Sequence, residues 1–385
     1  RGERVLVLIP DGTRSIPLAA LFPLVIESLR DARKIDFMIA LGTHPPLPER
    51  AILGLLGLTA GQRRTAYGAI GIHNHAWNED RELIQIGTLT RELMRDLATP
   101  YWHPSLGGDV PVRLNRAALE SDRVVILGPV FPHEVAGFSG GAKYLFPGIS
   151  GPEMIDVSHW LGALVGIPQT IGVEATPVRS MIEAAADLVP TSITAICPVV
   201  VRGEVSAIFG GDRREAWTQA VQAARESHII WVDEPFERVI SCAPPMYDEL
   251  WTAAKAVYKL EPALADGAEI ILHAPHLDTV SRSHGRYIRE VGYHVLPYFL
   301  EQWERFARYP LAVLAHSTHL KGAGTFHDGV ERPRVTVKLA SRISADECRQ
   351  LNLGYVDPQT IDAESPPQGW TVIANAGEDL YRVRD

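Results

Sequence analysis

Cysteine is scarce: Cys197, Cys242 and Cys348 are the only ones in 385 residues, widely spaced and without a CxxC pair. That scarcity argues against a disulfide framework and a cysteine-rich zinc site, and it makes the cytoplasm the expected compartment. No apolar run is long enough to cross a bilayer. No signal-peptide pattern accompanies the first strand-like run, Val5 to Ile9, in a sequence that opens on Arg1. No basic run offsets the formal net charge of −9, which opposes nonspecific attraction to nucleic acid or anionic membranes. An anionic substrate must then be held by a few placed cations. Neither a GxxxxGK[ST] loop nor an HExxH pair occurs. Internal repeats and low-complexity segments are also missing. What is present, 46 % hydrophobic and 22 % charged residues, is the composition of a soluble globular protein.

The length exceeds one ordinary core, so two domains and a cleft between them are expected. Arg4 to Ile9 reads as a strand and Leu18 to Ala32 as a helix, a βα unit. Ile35 to Leu41, helix Glu49 to Leu56, Arg123 to Gly128, Ile193 to Val201, helix Arg213 to Ser227 and Ile229 to Trp231 continue the alternation. A rise in polarity at Asp233-Glu234-Pro235 precedes a fresh series: strand Arg238 to Cys242, Leu250 to Tyr258, Ala268 to His273, helix Val295 to Arg308, then runs at Leu311 to Ala315 and Arg334 to Leu339. The predicted class is α/β, with two Rossmann-like domains of largely parallel sheet at 1–235 and 236–385 and the active site in the interdomain cleft. The tail after about residue 370 is left to pack back on either domain.

Three polar clusters each follow a predicted strand: Asp11-Gly12-Thr13-Arg14, His44 and His133. In open parallel sheets ligands bind beyond the carboxyl ends of the strands, so these clusters can share a site. Each alone also suits an ordinary turn, cap or solvated charge. The densest signal runs from Phe131 to Gly151, where Gly137, Gly140, Gly141, Gly148 and Gly151 flank a single lysine, Lys143. Such glycines permit close backbone approach to a ligand. His159 follows on a helix that starts near Gly151-Pro152. His73-Asn74-His75 suits a surface loop better than a metal site, and Trp77, Trp102 and Trp160, lacking basic neighbours in sequence, suit the core or rim.

In this order and spacing the sequence resembles the lactate racemase family, enzymes that use a nickel-pincer nucleotide. The match rests on the Asp11 to Arg14 loop, the Gly-Thr-His step ending at His44, and the block of His133, Ser-Gly-Gly-x-Lys143, Pro-Gly-Ile and His159. It extends more weakly over Pro244 to Lys255. The resemblance implies a racemase or epimerase that inverts C2 of a 2-hydroxy acid. By it, Lys143 joins the cofactor covalently, His159 coordinates nickel, and His44 and His133 are the acid-base pair. Arg14 and Lys255 hold the substrate carboxylate, Trp251 and Thr252 adjoin it, and Asp11, Gly140 and Gly141 contact the cofactor or orient Arg14. It also implies separate proteins that mature the cofactor.

The chemistry explains such a set. Removing the C2 proton beside an ionised carboxylate is hard, whereas transfer of hydride to the cofactor ring gives a planar 2-keto acid open to attack on either face. Each enantiomer presents its hydroxyl on a different side, so two bases are needed, and imidazole with an ordinary pKa of about 6.5 suits both roles. Lactate-specific members are expected to carry glutamine where Thr252 stands, so lactate itself is not the firm expectation. His316, His319 and Lys321 are candidates for a polyhydroxy or dicarboxylic tail, with a polar surface loop as the plainer possibility. Two other classes stay open: a zinc hydrolase or lyase using His133, His159 and Glu134 or Asp156, and a non-catalytic carboxylate-binding protein on the same fold.

Overall fold

A computed structural model describes residues 2–384. Arg4–Ile9 (β1) is buried from Val5 to Ile9, as expected of a strand covered on both faces, and leads through Leu18–Ser28 (α1) to Lys34–Ile39 (β2). Glu49–Leu56 (α2) precedes Gly71–Asn74 (β3); Arg123–Leu127 (β4), Ser192–Val201 (β5) and Glu204–Asp212 (β6) complete a sheet ordered β6-β5-β4-β1-β2-β3. All its pairings are parallel except β5 with β6 at one edge. Strand order reverses between β1 and β4, so the loops after these two strands flank one crevice.

The second sheet is parallel throughout. It consists of Phe236–Cys242 (β7), Leu264–Ala274 (β8), Thr336–Ser341 (β9), Gly354–Tyr355 (β10) and Thr371–Ile373 (β11), ordered β10-β9-β8-β7-β11. The tail divides: β11 joins β7, while Leu380–Val383 pairs with Ile229–Val232. Three helices matter for the site or its support, Pro152–Val165 (α3), Arg213–His228 (α4) and Leu311–Lys321 (α5). One apolar core runs from Leu6 and Ile126 on the first sheet to Val239 and Leu272 on the second, and α5 packs on α3 within it.

Several elements differ from the sequence reading. Leu311 to Ala315 starts α5, whose residues from Ala312 to Lys321 are all buried; a helix covered on every side shows no polar stripe and resembles a strand in sequence. Val295 to Arg308 is two short helices, Leu296–Glu301 and Trp303–Phe306, interrupted at Gln302. The antiparallel pair Leu83–Leu89 with Val110–Asn115 was not anticipated. Trp102 does have basic neighbours: Arg91 and Arg95 lie 5.7 and 5.3 Å from its ring centre. His75 is buried, donating from Nε2 to the Ser150 carbonyl at 2.9 Å and accepting from Asn115 at Nδ1, so it is a satisfied core histidine.

Candidate active site

After β1 the chain turns on Asp11, whose Oδ1 accepts from the Thr13 backbone at 3.0 Å and the Thr13 hydroxyl at 2.7 Å. This Asx-type turn leaves Oδ2 free to meet His44 Nδ1 at 2.5 Å. His44 is set by its own loop. Gly42 at φ 56° donates to the Gly148 carbonyl at 3.0 Å, and Asn74 at the end of β3 clasps Leu47 through both its amide atoms. Because the Asp11 carboxylate accepts, the His44 Nδ1 carries the hydrogen and Nε2 keeps its lone pair. Burial alone would raise the Asp11 carboxyl; the adjacent His44, hydrogen bonds from His44 and Thr13, and Arg14 together hold it well below the usual carboxylate range.

His133 is built differently. It lies on a tight hairpin, Pro132–His133 against Gly137–Phe138, closed by Gly137 at φ 78°, where a Cβ would lie 1.8 Å from the Val173 carbonyl oxygen. His133 Nδ1 accepts from the Val135 backbone at 3.1 Å, so the neutral ring carries its hydrogen on Nε2. Burial pushes its pKa well below the ordinary value, with Lys143 and Arg14 acting the same way against Glu134. The two imidazoles are therefore not the equivalent pair expected from sequence. His44 offers a lone pair held by a carboxylate, whereas His133 offers an N–H.

One cavity gathers Asp11, Arg14, His44, His133, Lys143 and His159 with Trp251, Thr252 and Lys255. Burial lowers the Lys143 amine to about 8, helped by Arg14, and its Nζ has no hydrogen bond or ion pair among the described residues. His159 on α3 donates from Nδ1 to the Ile155 carbonyl at 2.6 Å, which leaves Nε2 as a lone pair; burial takes its pKa down to about 4. Arg14 makes no ion pair among the described residues, so its planar fork is free for a carboxylate. Lys255 Nζ donates to the Thr13 carbonyl at 3.3 Å and lies 4.9 Å from the Tyr247 ring centre, and burial together with Arg14 drives its pKa well down.

Gly140 and Gly141 do not line this cavity. Their α-carbons face Val130 and the Trp217 ring, whose Nε1 donates to the Ser139 carbonyl at 2.8 Å. These glycines permit tight packing around Trp217. Lys321 also lies elsewhere, with Nζ 2.6 Å from the Asn352 carbonyl. Sequence reasoning gave too little weight to four lining residues. Glu134 was weighed only as a zinc ligand, Tyr258 was not singled out, and His316 and His319 were expected more readily on a loop. Burial alone would raise the Glu134 carboxyl, but His133 and Arg14 hold it far below its usual range. Its place directly after His133 was the available signal.

The zinc alternative does not fit this arrangement. Among the described residues no three His, Cys, Asp or Glu side chains are grouped to hold a metal, and Asp156 accepts from the Ala312 backbone at 2.9 Å. A lone imidazole with a free Nε2 beside an unpartnered, low-pKa lysine instead suits a metal carried by a lysine-tethered organic group. The residues present therefore fit the nickel-pincer nucleotide.

The N-terminal part matches the lactate racemase N-terminal domain over residues 1–99 and 105–169. The lactate racemase of Thermoanaerobacterium thermosaccharolyticum is 26 % identical over 292 residues, and that of Lactiplantibacillus plantarum 26 % over 290. These matches take in 72 % and 71 % of this chain but 61 % of each relative's length. Among solved structures, a Thermotoga maritima protein determined by structural genomics superposes with a TM-score of 0.90 at 30 % identity, covering 100 % of this chain and 94 % of that one. The apoprotein of the T. thermosaccharolyticum lactate racemase gives 0.75 at 18 % identity, covering 100 % and 88 %, a likeness of fold. The N-terminal part of the chain thus carries a lactate racemase N-terminal domain, and the chain as a whole is similar in sequence and in fold to lactate racemases.

Proposed function

We propose that this chain is a racemase or epimerase that inverts C2 of a 2-hydroxy acid through a 2-keto acid. The observation that carries this reading is the convergence of His44, His133, an unpaired Arg14 and an unpartnered Lys143 in one cavity. Arg14 binds the substrate carboxylate through paired hydrogen bonds and Lys255 adds a second donor. The arriving anion also favours protonation of the buried Lys255, offsetting the burial that lowers its pKa. His44, oriented by Asp11, takes the hydroxyl proton of one enantiomer at Nε2. A protonated His133, its charge balanced by Glu134 3.4 Å from Nδ1, donates its Nε2 hydrogen to the oxygen approached from the other side and is left neutral, so the roles exchange for the other enantiomer.

Lys143 would tether a nickel-pincer nucleotide and His159 Nε2 would ligate its metal. When bound, such a group would supply a reversible hydride acceptor for C2. Glu134 stays ionised beside His133 and supports its protonated form during the exchange. Loading by separate maturation proteins, action in the cytoplasm and a division into domains at 1–235 and 236–385 belong to the same proposal. The test is the protein purified with its maturation proteins present. A mass excess on the peptide carrying Lys143, nickel in the sample, and loss of inversion in His44→Ala and His133→Ala are expected. An active, nickel-loaded protein with unmodified Lys143 would contradict the tether, and a variant lacking both imidazoles that still inverts substrate would contradict the acid-base pair.

A further inference from the structure

A 2-hydroxy acid held by Arg14 and Lys255 leaves two cavity-lining imidazoles of α5, each with one ring nitrogen unpartnered among the described residues. His316 is 7 % exposed and His319 4 %. His316 Nε2 lies 3.1 Å from the Trp251 carbonyl oxygen, which can only accept, so that nitrogen carries the hydrogen and Nδ1 is a bare lone pair. Nδ1 has no hydrogen-bond partner, and neither does His319 Nε2. The His316 ring is fixed by stacking on Trp251, with centroids 4.0 Å apart and planes 9° apart, so Nδ1 is not free to turn away. Burial lowers His316 to about 3 and His319 to about 4, which keeps both neutral at pH 7.

The surroundings set the sign of what fits. The ionised Glu134 acts electrostatically on both rings. Lys321, the cation on the same helix, is bonded to Asn352, and the Thr252 hydroxyl donates to the Glu249 carbonyl at 3.0 Å. A second carboxylate would meet a lone pair and a like charge here, and a methyl group would leave a buried acceptor unpaired. A hydroxyl group supplies the missing donor.

Resting on the 2-hydroxy acid reading, we propose that the substrate carries hydroxyl groups beyond C2 that donate to His316 Nδ1, so that the site takes a polyhydroxy acid rather than lactate or a dicarboxylic acid. His316 and His319 then set specificity.

The loaded enzyme is given gluconate, lactate and malate, with C2 inversion read by chiral chromatography and binding read separately by calorimetry. Gluconate is expected to have the highest kcat/KM. His316→Phe keeps the stack and removes the acceptor; it should weaken gluconate binding and kcat/KM about five- to tenfold, mainly through KM, and affect lactate less. Preference for lactate or malate, or an equal loss for all three acids in His316→Phe, overturns the assignment of this wall while leaving racemisation standing. Gluconate that binds, and binds more weakly to His316→Phe, but is never inverted overturns the racemase reading and keeps the wall. Absence of both binding and turnover overturns both.

Discussion

At the scale of single residues, the two candidate acid-base imidazoles differ because their Nδ1 atoms meet opposite partners. Asp11 accepts from His44, whereas the Val135 backbone donates to His133. Replacing Asp11 with asparagine removes the charged partner that His44 has among the described residues and offers an amide in its place. The account predicts a fall in kcat of about a hundredfold or more, within the range typical for general acid-base catalysis, with little change in KM. A variant with unchanged kcat, or one altered only in KM, would show that Asp11 does not position His44. Asp11, Arg14, His44, His133, Lys143 and His159, expected at one site because strand ends and a glycine-dense loop mark them, line one cavity. The sequence did not reveal that Asp11 serves His44, since a contact across 33 positions depends on how two loops meet. Gly140 and Gly141 were misleading for a physical reason: glycine permits close approach of any neighbour, and here the neighbour is Trp217.

At the scale of elements, α3 carries His159 and α5 carries His316 and His319, and hydrogen bonds join the two helices. Asp156 on α3 accepts from Ala312 in the first turn of α5, so the start of one helix is capped by the side of the other. Asp156→Ala should cost about 1 kcal/mol, as for loss of a helix cap, read as a lower urea midpoint. An unchanged midpoint would mean that the cap contributes nothing. Helices with one wet face and short apolar strand runs were legible. Glu49–Leu56 was read with both its ends correct, and the strands at Arg4, Arg123 and Ile193 were found within a residue or two. The helix α5 was not legible, because burial on all sides erases the periodicity that marks a helix. The edge strand β6 was missed as well. Its exposed half alternates with partly buried residues over Glu204 to Asp212, a pattern the search for buried parallel strands passed over.

For the molecule as a whole, the cavity takes its walls from loops after the strands of the first sheet and from helices of both halves of the chain, with Arg14 and His319 far apart in sequence yet lining the same space. Concentrating histidine in the interior has a consequence for stability. Burial lowers His75, His284 and His319 to about 4 and His316 to about 3, while an unfolded chain holds these groups near their ordinary value of about 6.5. As pH falls through about 6.5 the unfolded state takes up protons that the folded state refuses, so stability declines between about pH 6.5 and pH 4. Asp11 and Glu134, held low in the fold, add a further loss at still lower pH as they protonate. Urea midpoints of the cofactor-free chain from pH 8 to pH 4.5 should show this decline; a midpoint constant from pH 7 to pH 5 would contradict it. The parallel-sheet class was legible from alternating strands and helices. Which second-half residues reach the cavity came from the family resemblance, because no local pattern marks a residue that acts across a cleft.

The most direct measurement follows a single enantiomer of a 2-hydroxy acid, incubated with the loaded enzyme in deuterium oxide, by chiral chromatography and mass spectrometry. The account predicts an inverted product that keeps its original hydrogen on C2, because only the hydroxyl proton passes through His44 and His133. Deuterium appearing on C2 in step with inversion would mean that the carbon-bound hydrogen leaves as a proton, and the proposed chemistry of this cavity would be wrong.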